Sequence, residues 1–259
     1  MQPIIFFGSA PISNVVLQKL IDAKVPVTAV VTKPDKPVGR HLKLTPNPVK
    51  TLALQNKIKV YDSLSDLDVA KGIIGLVAAY GKIIPQKVLD KFNIQIYNIH
   101  PSLLPKYRGP SPLQQQILDG VTETGITIIQ IDEKMDHGPI VAQEKDELLP
   151  DDTTQSLGKR LFTRGTDLFL KTQDPKYKIH TTEQDHSQAT YTKLLTRQDG
   201  FIPYDQFSLY LSDSTQNHYD PHSYVSRLFR AYHPWPGIWS LDPQGRRVKL
   251  VSLPQTTNS

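Results

Sequence analysis

Cysteine is absent from this chain, and that one gap removes several chemistries. No disulfide can staple the fold, no thiolate can hold a metal, and no cysteine nucleophile can act. The gap fits a reducing compartment, so a cytoplasmic location is expected. Also missing is any apolar run of about 18 residues, the length a membrane-spanning helix needs. No membrane partner is expected. The opening residues, Met1-Gln2-Pro3-Ile4-Ile5-Phe6-Phe7, carry no basic leader, so they read as a first strand rather than a signal peptide. The turn after that strand, Gly8-Ser9-Ala10-Pro11, lacks the G-x-G-x-x-G run that lets a pyrophosphate approach the backbone. Nicotinamide and flavin binding are therefore not expected. His100, Asp136 and His137 match no metal-ligand spacing, and no metal is expected.

What is present begins with length. At 259 residues the chain can bury a sizeable core and still form a second, smaller unit. The formal charge of +5 is moderate, but its distribution is uneven. Lys33, Lys36, Arg40, Lys43 and Lys50 face one acid, Asp35, within a single segment. Such a local excess suits an anionic partner as well as a solvated surface loop. Pro34, Pro37, Pro46 and Pro48 also lie there. Proline fixes φ and lacks a donor, so most of residues 33–50 is expected to lack regular structure.

Apolar runs alternate with helical patterns over the first 180 residues or so, as in βαβ units of a mostly parallel sheet with helices on both faces. Strands are expected at Ile4–Phe7, Val25–Thr32, Ile73–Ala79 and Ile94–His100. Thr124–Asp132 and Ile140–Leu148 could pair as a hairpin, and a helix is expected over Thr154–Leu170. Ser111 and Pro112 read as the start of a short helix closed by Gly120. From about Lys176 the texture turns polar and reads as a linker. Beyond it, Tyr224–Tyr232 looks helical, and short strands are expected at Ile238–Leu241 and Val248–Leu253.

The chemistry concentrates in Asn98-Ile99-His100-Pro101-Ser102-Leu103-Leu104-Pro105. Residues two apart on a strand share a face, so Asn98 and His100 point the same way. Pro101 cannot continue the ladder, which places both at the carboxyl end of a strand, where open α/β sheets bind ligands. Alone, an Asn or His in that position is more often a turn former or a hydrogen-bonded surface residue.

These residues, with Tyr107-Arg108-Gly109, resemble the signature of the folate-dependent formyltransferases. Further segments in order strengthen the likeness: Thr32–Pro37 with Gly39-Arg40, Pro46–Lys50, Ala78-Ala79-Tyr80-Gly81 with Pro85, and Gly125–Thr127. Met135-Asp136-His137-Gly138, Ala189-Thr190-Tyr191, Asp199-Gly200 and Pro234–Gly237 with Trp239 complete the series. The resemblance implies a Rossmann-like catalytic domain over 1–182, a linker over 183–203 and a short C-terminal domain over 204–259. That last domain would be a reduced or truncated form of an OB-like, β-rich barrel, since about three strands can be found where such a barrel needs five. It further implies that Asn98, His100 and Asp136 form the catalytic group. Ser102, Leu103, Leu104 and Pro105, with Ala79, Tyr80 and Gly81, would border the co-substrate, 10-formyltetrahydrofolate.

Within the family the likeness is strongest to the branch that formylates methionine on initiator tRNA. Arg40, Lys36, His41 and Lys43 would then contact the tRNA, and a monomer is expected. The alternative is a sugar N-formyltransferase acting on a nucleotide-linked amino sugar. A formyltetrahydrofolate hydrolase would be expected to carry an extra N-terminal domain, whereas this chain starts at its first strand. A non-catalytic tRNA-binding protein would have no need of the Asn98, His100 and Asp136 group.

Overall fold

Parallel strands covered on both faces need continuous apolar sequence, and Ile4-Ile5-Phe6-Phe7 supplies it. The computed structural model describes residues 1–38, 42–93, 95–214 and 223–253. The strands are β1 (Ile4–Phe7), β2 (Val27–Val31), β3 (Lys36–Val38), β4 (Lys43–Thr45), β5 (Lys59–Tyr61), β6 (Ile74–Val77), β7 (Ile96–His100), β8 (Glu123–Gln130), β9 (Ile140–Glu147), β10 (Ile238–Leu241) and β11 (Arg247–Leu250). The helices are α1 (Ser13–Asp22), α2 (Pro48–Gln55), α3 (Gln86–Leu89), α4 (Pro112–Asp119), α5 (Thr154–Thr172), α6 (Tyr204–Ser214) and α7 (Tyr224–Tyr232).

Seven strands form one sheet in the order β5-β2-β1-β6-β7-β8-β9. The first five run parallel and β8 runs antiparallel to β7. Chain order reverses between β1 and β6, and open α/β sheets place their ligands beyond the carboxyl ends of the strands at such a switch point. Ile5, Phe7, Val31, Val77, Tyr80, Phe92 and Ile96 share one buried cluster. On the other face of β7, the Tyr97 ring lies 5.9 Å from that of Phe169 on α5. Helix α5 comes this close because it carries Gly165, where a Cβ would lie 2.5 Å from Ile99 Cγ2.

The proline-rich basic segment is more regular than expected. β3 and β4 pair antiparallel as a separate two-stranded hairpin, with Pro37 opposite Leu44. A two-stranded ribbon has outer edges where a missing N–H costs no ladder bond, so Pro37 is tolerated. Asn47 then caps α2, accepting from the Lys50 N–H at 3.1 Å, and Pro48 occupies its first turn.

Two compact units emerge, and they interleave along the chain. The first comprises residues 1–108, 125–146 and 158–191; the second comprises 109–124, 147–157 and 192–259. The segment read as a linker is divided between them and forms two short 3₁₀ helices, His186–Gln188 and Arg197–Gly200. In the second unit α4 packs against α7, and β10 pairs with β11. Arg230, buried on α7, donates to the Asp152 carbonyl at 3.0 Å. The described residues of 204–259 hold two strands rather than three, together with α6 and α7. Among the described residues, no helix is long and apolar enough to cross a membrane.

Candidate active site

Ile96, Asn98 and His100 alternate with Tyr97 and Ile99 along β7, so the two polar side chains share the face opposite α5. The loop from Ile131 to Pro139 starts beside Ile96, whose carbonyl accepts from the Ile131 N–H at 2.8 Å. It then carries Asp136 back to the polar pair. Asn98 Nδ2 donates to Asp136 Oδ1 at 3.2 Å, and His100 Nδ1 lies 3.5 Å from the same oxygen. The His100 side chain is 4% exposed and that of Asp136 11%, so water screens the pair weakly. A carboxamide, an imidazole and a carboxylate from two distant stretches thus meet at one point.

His100 Nε2 lies 2.9 Å from the Tyr107 carbonyl, which can only accept, so this nitrogen carries the proton. Nδ1 is left facing Asp136. The Asn98 amide uses one N–H on Asp136 and has a second. Asp136 itself holds φ at 51°, a left-handed conformation that a non-glycine residue keeps only when its surroundings enforce it. Gly138 helps: a Cβ there would overlap the Gln130 carbonyl oxygen, so no other residue lets the loop close this tightly.

The residues expected to border folate fall in two places. Ser102 to Pro105 continue directly from β7 and contain a cis Leu104–Pro105 bond. The Thr127 hydroxyl fixes this segment, donating to the Ser102 carbonyl at 2.6 Å and accepting from the Leu104 N–H at 3.2 Å. Ala79, Tyr80 and Gly81 follow β6, whose last residue, Val77, pairs with Asn98. Ala79 has φ 48°, and its carbonyl accepts from the Ala10 N–H at 3.2 Å. The Tyr80 side chain points elsewhere: it is 2% exposed, packs edge-on against Phe7, and burial raises its pKa.

Of the residues expected to meet tRNA, Lys36 and Lys43 are exposed on the β3–β4 hairpin, while Arg40 and His41 lie outside the described residues. Lys33 comes close to Gly81, and its pKa is lowered by burial first and then by Lys36 and Lys82. The positive charges of Lys33, Lys36 and Lys82 therefore gather near the end of β6. Lys50 differs, bonded to Asp35 and Asp62 at 2.8 Å each, which raises its pKa. Among the described residues no cluster of His, Asp or Glu could hold a metal.

The model of the formyl transferase family matches residues 2–172. The chain belongs to that family. Methionyl-tRNA formyltransferase of Roseiflexus sp. (strain RS-1) is 42% identical over 260 residues, which cover 96% of this chain and 75% of that protein. The enzyme of the same name from Kosmotoga olearia is 38% identical over 246 residues, covering 91% and 74%. A solved 4-N formyltransferase from Francisella tularensis shares the fold with a TM-score of 0.71 at 20% identity, covering 98% of each chain. An N-formyltransferase from Helicobacter canadensis, solved with folinic acid and dTDP-3-aminofucose, aligns with a TM-score of 0.63 at 21% identity, covering 89% and 80%.

In this formyl transferase several residues that reach the site escaped the sequence reading. Gln143 Nε2 donates to the Leu104 carbonyl at 3.0 Å and to Thr127 Oγ1 at 2.9 Å. Gln184, expected in a linker, donates to the Asp136 and Gly138 carbonyls at 3.0 and 2.7 Å. Neither stands in a motif or an apolar period. The only nearby signal was Ala189-Thr190-Tyr191, where Thr190 Oγ1 accepts from the Tyr107 N–H at 2.8 Å.

Proposed function

We propose that this chain transfers the formyl group of 10-formyltetrahydrofolate to the α-amine of methionyl initiator tRNA. The observation that carries the reaction type is the meeting of Asn98, His100 and Asp136 within 3.2 and 3.5 Å at the end of β7. The acceptor rests on the relatives of that name, at 36% to 42% identity over nearly the whole chain.

The chemistry needs no covalent enzyme intermediate. The neutral amine attacks the formyl carbon, a C–N bond forms, and the carbonyl oxygen becomes an oxyanion. In this reading the second N–H of Asn98 donates to that oxygen, a kind of contact worth about 10²–10³ in rate. His100 Nδ1 takes the proton that the attacking nitrogen sheds, beside the Asp136 carboxylate that stabilises the resulting imidazolium. The proton passes to N10 of the folate as the C–N10 bond breaks, leaving tetrahydrofolate and the formylated amine. In this scheme residues 1–182 carry formyl transfer, 183–203 connect and bring Gln184 to the Asp136 loop, and 204–259 form a short C-terminal domain. Lys36, Arg40, His41 and Lys43 meet tRNA phosphates, and Ser102 to Pro105 with Ala79 and Gly81 hold the folate.

The test offers the chain 10-formyltetrahydrofolate with methionyl initiator tRNA, with a nucleotide-linked amino sugar, or with neither. Tetrahydrofolate release should depend on the charged tRNA and match the appearance of formylmethionine. Turnover with the sugar alone would move the enzyme to the sugar N-formyltransferases. Release without either acceptor would make it a hydrolase.

A further inference from the structure

Asp136 and His100 are held in register by a closed circuit of contacts. His100 Nε2 donates to the carbonyl of Tyr107 at 2.9 Å. The next residue, Arg108, is a 1% exposed cation whose Nε and Nη2 donate to Gln184 Oε1 at 3.2 and 2.7 Å. Gln184 is itself 5% exposed, and its Nε2 donates to the carbonyls of Asp136 and Gly138. Asp136 then faces His100 at 3.5 Å, closing the circuit. A guanidinium only donates, so Arg108 decides which end of the Gln184 amide is oxygen and aims the NH₂ end at the loop. Arg108 is fixed in turn by His186 Nδ1 at 2.8 Å and by the Tyr191 hydroxyl at 3.2 Å.

We infer that Gln184 is a positioning residue, whose amide holds the 131–139 loop so that the Asp136 carboxylate meets Asn98 and His100. The inference rests on the reading of Asp136 given above. The two bonds lie on either side of His137, so the Gln184 amide spans the turn at which Asp136 takes its left-handed φ. A loop held at both peptides cannot relax that conformation without losing two hydrogen bonds, one of them buried. A bland alternative exists, in which Gln184 only satisfies buried carbonyls and a buried cation. The two readings part over what the donor end does for turnover.

Gln184→Glu separates them, because it keeps the shape and the acceptor for Arg108 but removes the donor from the two loop carbonyls. Turnover at saturating charged initiator tRNA is measured over a range of 10-formyltetrahydrofolate concentrations, alongside the melting temperature. We expect kcat to fall about 10–100-fold while the folate KM moves less than about threefold, the pattern of a displaced catalytic group. The double variant of Gln184→Glu with Asp136→Asn should be within about twofold of Asp136→Asn alone, since a carboxylate already removed cannot be misplaced. If Gln184→Glu does not fold, Gln184→Met is put through the same measurements.

An unimpaired kcat, or losses that multiply in the double variant, would overturn the inference while leaving the function intact. Failure of both variants to fold would overturn it too, by assigning Gln184 to the fold. A wild-type chain that turns over no acceptor would sink the underlying reading of Asp136 as well.

Discussion

Replacing Asp136 by Asn removes the charge and puts an NH₂ in place of one carboxylate oxygen, while keeping an oxygen that can accept from Asn98. The carboxylate oxygen lies 3.5 Å from His100 Nδ1. At an effective dielectric of about 20, a unit charge pair at that separation is worth about 5 kcal/mol. An imidazolium that forms as the amine sheds its proton draws on that attraction only near the transition state. About 1.4 kcal/mol corresponds to a factor of ten, so D136N is expected to lower kcat by about 10³. The folate KM should stay within a few-fold of wild type, because the charge acts on the reacting amine and not on the bound pterin. Release of tetrahydrofolate in the presence of charged initiator tRNA gives kcat, and circular dichroism checks that the variant is folded. A loss under about tenfold would mean that no imidazolium develops beside Asp136, and the assignment of His100 as proton acceptor would fall.

Other perturbations probe the loop, the hairpin and the second unit. Gly138→Ala pushes a methyl into the Gln130 carbonyl, so the loop must shift; a kcat loss of about 10² is expected, and an unchanged rate would show that the loop has slack. Lys43→Ala on the exposed hairpin should weaken tRNA binding and flatten its dependence on log salt by about one unit. An unchanged salt slope would remove the hairpin from the tRNA contact. In the second unit the Asp199 carboxyl is held down to about 2, by the Lys193 ammonium first and then by the Thr196 N–H and hydroxyl. A lowered carboxylate pKa stabilises the fold above the unfolded value of 3.8, and that contribution fades as the pH drops toward 2. Asp199→Asn should therefore lower the melting temperature at pH 7 and converge with wild type near pH 2. Parallel curves across that window would refute the assignment.

Much of the sheet was readable because its determinants are local. The run Ile4–Phe7 is apolar throughout, and β7 announces its two-sided face by alternation and its end by Pro101. The hairpin β3–β4 was missed because prolines argue against strands in general, whereas the constraint vanishes on an outer edge. Near the C-terminus the described residues hold two strands, β10 and β11, with α6 ahead of them. The site divides in the same way. Asn98 and His100 were legible from strand geometry, whereas Asp136 came only through family resemblance, since 36 residues separate it from His100. Gln184 was invisible, because its bonds to Arg108 and Asp136 span 76 and 48 residues, which no local pattern records. Tyr80 illustrates the converse: its motif lies beside the site while its ring belongs to the core.

The central claim is geometric, and it is tested most directly by a crystal structure of the chain with a non-transferring formyl folate. The account predicts the one-carbon end of the folate at the end of β7, with the formyl oxygen within hydrogen-bond reach of Asn98 Nδ2 and the pteridine along Ser102 to Pro105. A folate whose formyl carbon lies more than about 8 Å from both Asn98 and His100, with the 131–139 loop unmoved, would contradict it.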